Sequence, residues 1–237
     1  MVFAAIALTP SAPVLVPELA GAAADEVAVF RDAAIAVAAG LPDCWIAIGA
    51  GPATQVFDPD TRGTFAGYGV DVPVTLAPDA PGAPVALAPL PLCALIAGWL
   101  RGQANRDARV QVRVYDSALD GADAVELGRE LRADIDARPE DIGVLVVADG
   151  FNTLTAAAPG GFDPEAEAAQ SVLDDALAAG DAAALTRLPD AIIGRVAYQV
   201  LAGLTEQGRS SATQFARGAP YGVGYFVGRW EPGESTA

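Results

Sequence analysis

The sequence contains no histidine and no lysine: all 14 basic residues are arginines, against 30 acidic residues, for a formal net charge of −16. Each absence excludes a class of chemistry. Without histidine there is no Ser-His-Asp or Cys-His nucleophile pair, no imidazole general base and no His-ligated zinc or iron site. Without lysine there is no Schiff base, no phosphate-gripping P-loop lysine and no Ser-Lys dyad. An acidic chain lacks the basic stripe that nucleic acid requires and is repelled by anionic membrane surfaces, so neither is expected as a partner. Cysteine is scarce too. Cys44 and Cys93 both lie in apolar runs, which reads as two buried thiols in a reduced, cytoplasmic protein rather than a disulfide framework. The apolar start has no basic residue before Arg31, so it lacks the positive region of a signal peptide. No GxSxG elbow, CxxC pair or HExxH motif occurs.

What is present suffices for a packed core. A chain of 237 residues with 52% hydrophobic side chains suits a globular domain rather than a disordered segment. One uncharged stretch, Ala80 to Leu100, is long enough to span a bilayer, but Pro81, Pro84, Pro89 and Pro91 break its first half. It reads as a loop followed by a buried helix, Pro91 to Leu100. Strands are expected at Val2–Leu8, Cys44–Gly49, Val72–Leu76, Val110–Tyr115, Ile142–Ala148 and Tyr221–Val227. Ile142–Ala148 is apolar throughout, as a central strand covered on both faces should be, while Val110–Tyr115 alternates and should keep one wetter face. Helices are expected over Glu18 to Ala39, Asp123 to Arg138, Asp163 to Ala179 and Pro189 to Gln207. This alternation predicts a single-domain α/β sandwich, with a mostly parallel or mixed central sheet and helices on both faces. Residues 1–230 form the domain, with 231–237 a frayed tail; Asp58 to Gly69 and Pro78 to Pro91 are excursions from it.

In open α/β sheets, ligands bind beyond the carboxyl ends of strands. Three such ends carry unusual loops: Thr9-Pro10-Ser11-Ala12-Pro13, Gly49-Ala50-Gly51-Pro52 and Asp149-Gly150-Phe151-Asn152-Thr153. The fold predicts that they share one crevice. Gly49-Ala50-Gly51 lacks the third glycine of a dinucleotide fingerprint, since Thr54 stands there, and reads better as a tight turn between strand and helix. Asp149 is a candidate general base or metal ligand, but an aspartate at a strand end more often caps the next turn. Asp58 and Asp60 read as a solvated Pro-Asp turn, and the acids of the helix from Asp163 as a solvated face. Phe215, Tyr221, Tyr225, Phe226 and Trp230 read as core aromatics of a C-terminal strand region.

At these same loops the sequence resembles the class III (LigB-type) extradiol ring-cleavage dioxygenases and their Memo-like relatives. The family's Pro-His-Pro-Pro start, with aliphatics and Val-Pro-Glu, stands here as Pro10-Ser11-Ala12-Pro13-Val14-Leu15-Val16-Pro17-Glu18. Its strand ending in Ser-Pro-His corresponds to Trp45–Gly51. Its Gly-Asp-Leu-Ser-His-Arg-Leu element corresponds to Ala148–Leu154, followed by Gly161-Phe162-Asp163-Pro164. Gly194-Arg195 and Pro220–Tyr225 complete an order of elements that runs nearly the whole chain.

The resemblance implies a ferrous ion held by two histidines and a glutamate, with a further histidine for acid–base work. Those positions fall on Ser11, on or near Gly51, around Ile192 to Gly194, and on or near Asn152, and none carries the family residue. Ser and Gly do not replace imidazoles, and Asn takes up no proton at neutral pH. The implied protein is therefore a degenerate member with no catalytic residue assigned, no metal or cofactor, and a remnant pocket at Ser11, Gly51, Asp149 and Asn152. Three functions are open to such a protein. The first is a non-catalytic module binding a small molecule or a protein, with homo-oligomers among its assemblies. The second is an enzyme using a carboxylate mechanism through Asp149, with Glu18 as its partner, or an active member of the dioxygenase family. The third is a structural subunit supporting an active one. If open, the remnant pocket should be small, polar and acidic, favouring cationic or polyol-like ligands.

Overall fold

In the computed structural model, residues 3–78, 86–207 and 211–233 are described. In chain order the elements are β1 (Phe3–Thr9), α1 (Pro17–Ala20), α2 (Ala28–Ala39), β2 (Cys44–Gly51), β3 (Gln55–Phe57), β4 (Arg62–Thr64), β5 (Pro73–Thr75), α3 (Leu92–Ala104), β6 (Arg109–Asp116), α4 (Gly121–Asp136), β7 (Ile142–Val147), α5 (Ala166–Ala179), α6 (Ala182–Leu185), α7 (Arg195–Thr205), β8 (Ser211–Gly218) and β9 (Tyr225–Glu231). Seven strands form one mixed sheet in the order β3-β6-β2-β7-β1-β9-β8, and β4 pairs with β5 beside it. The four strands β6, β2, β7 and β1 run parallel, while β9 joins β1 antiparallel and β3 joins β6 antiparallel. The expected α/β sandwich is what the chain forms.

β7 is central because every one of its residues is apolar or glycine, and all are buried. β6 alternates buried and partly exposed positions, as its sequence required. Two cores sandwich the sheet. On one face α2 and α3 pack Phe30, Val37, Ile96 and Leu100 over β2, β7 and β6. On the other, α4, α5 and α7 pack Leu131, Leu173 and Leu201 over Ile6, Ile46 and Val144. α4 starts where the Asp120 side chain accepts from the Asp123 N–H at 2.9 Å, and α5 stops at Gly180, which takes the left-handed conformation (φ 67°). α4 and α7 meet backbone to backbone: a Cβ on Gly128 would strike Val200 O, and one on Gly203 would strike Val125 O.

Several expectations need correction. The long helix from Glu18 is two helices with a 3-10 turn between, because Gly21 takes a positive φ of 54°. The helices expected from Asp163 and Pro189 begin only at Ala166 and Arg195, after their proline-containing leads. The last strand begins at Tyr225, since Pro220–Gly222 forms a 3-10 turn with Tyr221 at φ 57°. Phe215 and Tyr221 are 48% and 44% exposed, so only Tyr225, Phe226 and Trp230 of the aromatic set are core. Cys93 is buried but Cys44, at the sheet's amino-terminal edge, is partly exposed. The helix after the proline-rich stretch runs Leu92–Ala104; residues 79–85 of that stretch, 234–237 of the expected tail and Val2 of the first strand lie outside the described residues. Among the described residues no helix is long and apolar enough to cross a membrane.

Candidate functional site

Parallel pairing puts Thr9 of β1, Val147 of β7 and Gly49 of β2 in one row across the sheet. Ser11, Asp149 and Gly51 each lie two residues further along, so the three loops meet at the carboxyl ends of neighbouring strands. Asp149 is the centre of the arrangement. Its Oδ1 accepts a hydrogen bond from the Ser11 main-chain N–H at 2.9 Å, tying the loop after β1 to the loop after β7. The expected cap of the next turn is therefore not what Asp149 provides; it bridges two loops 138 residues apart.

Asp149 is only 7% exposed. Burial pushes its pKa up to about 7 from 3.8, and the Ser11 N–H opposes this only in part. Nearby, the buried Tyr198 hydroxyl donates to Ala148 O at 3.0 Å. Burial raises the pKa values of Tyr198 and Tyr225, and the charge of Asp149 raises both further. The Oγ1 of Thr9 is buried with no hydrogen-bond partner.

The other segments close in around this point. Gly194 N–H donates to Asp149 O at 2.9 Å and Ile193 N–H to Gly150 O at 3.2 Å, which docks the lead into α7 on the β7 loop. The fit is tight: a Cβ on Gly194 would lie 2.6 Å from Ala148 Cβ. Gly150 N–H donates to Gly224 O and Gly224 N–H to Phe151 O, both at 2.8 Å, so the lead into β9 joins from the other side. Gly49 faces Cys93, where a Cβ would lie 2.5 Å from Cys93 Cβ, and burial pushes that thiol up to about 11. Gly49 to Gly51 continue β2, and the next element is β3 rather than the expected helix. At Gly51 a Cβ would meet Val114 Cγ1 at 2.7 Å. Asn152 is partly buried, with its main-chain carbonyl accepting from Gly160 N–H at 3.0 Å and its side chain against Gly160.

The structure therefore joins Ser11 to Asp149 directly, puts Gly51 on the same row behind Val114, and holds Asn152 three residues beyond Asp149 against its own loop. Glu18 is exposed and borders a different cleft, with Trp99 and Val74. Asp58 sits in an exposed turn, its carbonyl accepting from Thr61 N–H at 2.9 Å. Among the described residues no three His, Cys, Asp or Glu side chains gather as a metal site would require. The donors at Asp149 do not fit a ferrous ion: one carboxylate, already engaged by Ser11, stands where two imidazoles and a glutamate would be needed. Among the described residues, four of the surface clefts, with volumes from about 290 to about 700 Å³, are lined by none of Ser11, Gly51, Asp149 and Asn152.

Two polar residues carry no signal of their role in the local sequence. Gln170 and Asp174 lie on α5 among the acids expected to form a solvated face, yet both are buried. Gln170 Oε1 accepts from Phe151 N–H at 2.9 Å, and its Nε2 donates to Asp174 Oδ1 at 2.7 Å. Their spacing is the one clue: with Ala166, Leu173 and Leu177 they share the buried stripe of the helix.

No family model matches the chain, and no curated protein matches it. The fold is similar to the crystal structure of an uncharacterized protein from Escherichia coli K12, with a TM-score of 0.56 at 14% identity, over 96% of this chain and 99% of that one. At that identity the likeness speaks for the fold alone.

Proposed function

We propose that this protein is a catalytically inactive relative of the class III extradiol dioxygenases, a scaffold without the ferrous iron set that acts by binding a small molecule or a protein. One observation carries the reading. Four segments that the resemblance assigns to a single centre, at Ser11, Gly51, Asn152 and Ile192 to Gly194, lie far apart in sequence. They converge at the ends of β1, β2 and β7, where the main-chain bonds from Ser11 and Gly194 meet Asp149. That convergence supports the resemblance, and the chemistry of the converging groups supports the loss of catalysis. They offer a main-chain N–H, two glycines and an amide, none of which holds iron or moves a proton at neutral pH.

An alternative, an enzyme moving protons through Asp149, draws on one observation: burial puts this carboxyl near neutrality, where acid–base catalysis is efficient. Asp149 lines none of the clefts of about 700, 460, 390 and 290 Å³ among the described residues. Oxygen uptake with protocatechuate and other catechols, after anaerobic incubation with ferrous ion, tests the proposal. No uptake above the protein-free rate is expected, and ring-opened product formed at a chelator-sensitive rate overturns it.

A further inference from the structure

We propose that residues 17–26, between β1 and α2, are a strap closed over the strand-end site, and that a surface hydrogen bond between Tyr221 and Glu26 latches it. The Tyr221 hydroxyl donates to Glu26 Oε2 at 2.7 Å, joining positions 195 residues apart. Tyr221 lies in the turn Pro220–Gly222 that leads into β9, and this turn is firmly held. Leu154 N–H donates to Gly222 O at 3.1 Å and Gly224 N–H to Phe151 O at 2.8 Å, which fix it to the loop after β7. The strap has no such anchorage. Val16 and Val27 at its ends are fully buried, but none of residues 17–26 is. The main-chain bonds described within it close short turns, such as Ala24 N–H to Gly21 O and Glu26 N–H to Ala23 O. Few buried contacts and local bonding mark a segment that opens at low cost, and Gly21 at φ 54° gives it a pivot.

The closed form is held against opposing terms, which is what makes it a device rather than a fixed surface. Tyr221 takes φ 57°, a left-handed backbone that a bulky residue adopts only under constraint. At the strand ends, Thr9 is 1% exposed with its Oγ1 unpartnered, and the one hydrogen bond described for the Asp149 carboxyl comes from Ser11 N–H. Buried oxygens in this state forgo hydrogen bonds that water or a ligand would restore. Tyr225 connects the two levels. The antiparallel register of β9 on β1, with Leu8 opposite Gly228, carries Tyr225 to the same end of the sheet as Thr9 and Ser11. Its ring, 4% exposed, packs edge-on against Phe30 of α2 at 5.7 Å and feels the charges of both Asp149 and Tyr221. Releasing Glu26 frees the strap and the start of α2 from the turn and uncovers this path to Asp149. The oxygens then exposed are acceptors, so a small molecule presenting N–H or O–H donors binds the open form better and shifts the balance toward it.

Carbodiimide coupling of glycinamide to Asp149 in the intact protein, followed by mass spectrometry, reads the opening directly. Hydrogen exchange of the Val112 amide, in the fully buried part of β6, reports global unfolding alongside it. Tyr221→Phe and Glu26→Ala remove either end of an exposed bond and do not threaten folding. Each should raise the Asp149 labelling rate several-fold, in keeping with the loss of one hydrogen bond, with Val112 exchange unchanged. The double variant should label no faster than the single ones. Gly21→Ala tests the strap from its pivot, since a Cβ there meets nothing within 4 Å and acts only through the positive φ. It too should raise labelling. Unchanged labelling in the two latch variants, a double variant in which their effects multiply, or labelling that rises only in step with Val112 exchange overturns the proposal. The inference rests on the strand-end site being where this protein binds its ligand, not on the loss of iron. Catechol-dependent oxygen uptake would refute the proposed function and leave these labelling rates to be judged by themselves.

Discussion

Replacing Asp149 by asparagine should stabilise the protein, and by more as the pH rises. The carboxyl is buried with one N–H donor, from Ser11, and no arginine among the causes that set its pKa, which burial holds at about 7 against 3.8. Between those values the folded chain keeps a proton that the unfolded chain has released. Stability is therefore lost as pH rises from about 4 to about 7 and levels off above that. A difference of about three units at 1.36 kcal/mol each sets a ceiling of about 4 kcal/mol on the loss. Asparagine keeps the shape and can still accept from Ser11 N–H, but carries no charge to desolvate. Urea denaturation of both proteins at pH 5.5 and pH 8.5 checks this, both values lying above the pI of about 4.1. The variant's advantage should grow by about 2 kcal/mol between the two. An advantage that does not change with pH, or a variant equally destabilised at both, refutes the assignment of a buried, uncompensated acid.

Other consequences are more local. Gly203→Ala drives a Cβ into Val125 O at the crossing of α4 and α7, and should destabilise by about 3 kcal/mol in urea melts. Tyr198→Phe removes the bond to Ala148 O beneath the site, lowering stability by about 1 kcal/mol in the same assay. With an aromatic disulfide reagent at pH 8, one thiol of the native protein, Cys44, should react, and more slowly than a free thiol because burial raises its pKa. Cys93, buried and held at about 11, should react only after urea is added.

Much of this architecture was written in local pattern. β7 was legible because all its positions are apolar, and α4 because its apolar stripe is contiguous in sequence, though its start at Gly121, capped by Asp120, was not. β8 was not, since an edge strand with one buried residue, Ala216, has no alternation to read. Gly49 to Gly51 resembled a turn, but parallel pairing with β6 through Gly51, and with β7 as far as Gly49, keeps that glycine-rich segment extended. At the site, the loops were legible as strand ends while their mutual contacts were not: no local rule foretells that Asp149 accepts from Ser11. Gln170 and Asp174 were hidden differently, because polar residues on a buried stripe look like surface until the helix has a neighbour to pack against.

The central claim is that the strand-end site around Asp149 holds no iron. Elemental analysis of protein loaded anaerobically with ferrous ion and then desalted tests it most directly. Well under a tenth of an equivalent should remain, in the wild type and in Asp149→Asn alike. One equivalent retained by the wild type and lost in Asp149→Asn would contradict the account and make Asp149 a metal ligand.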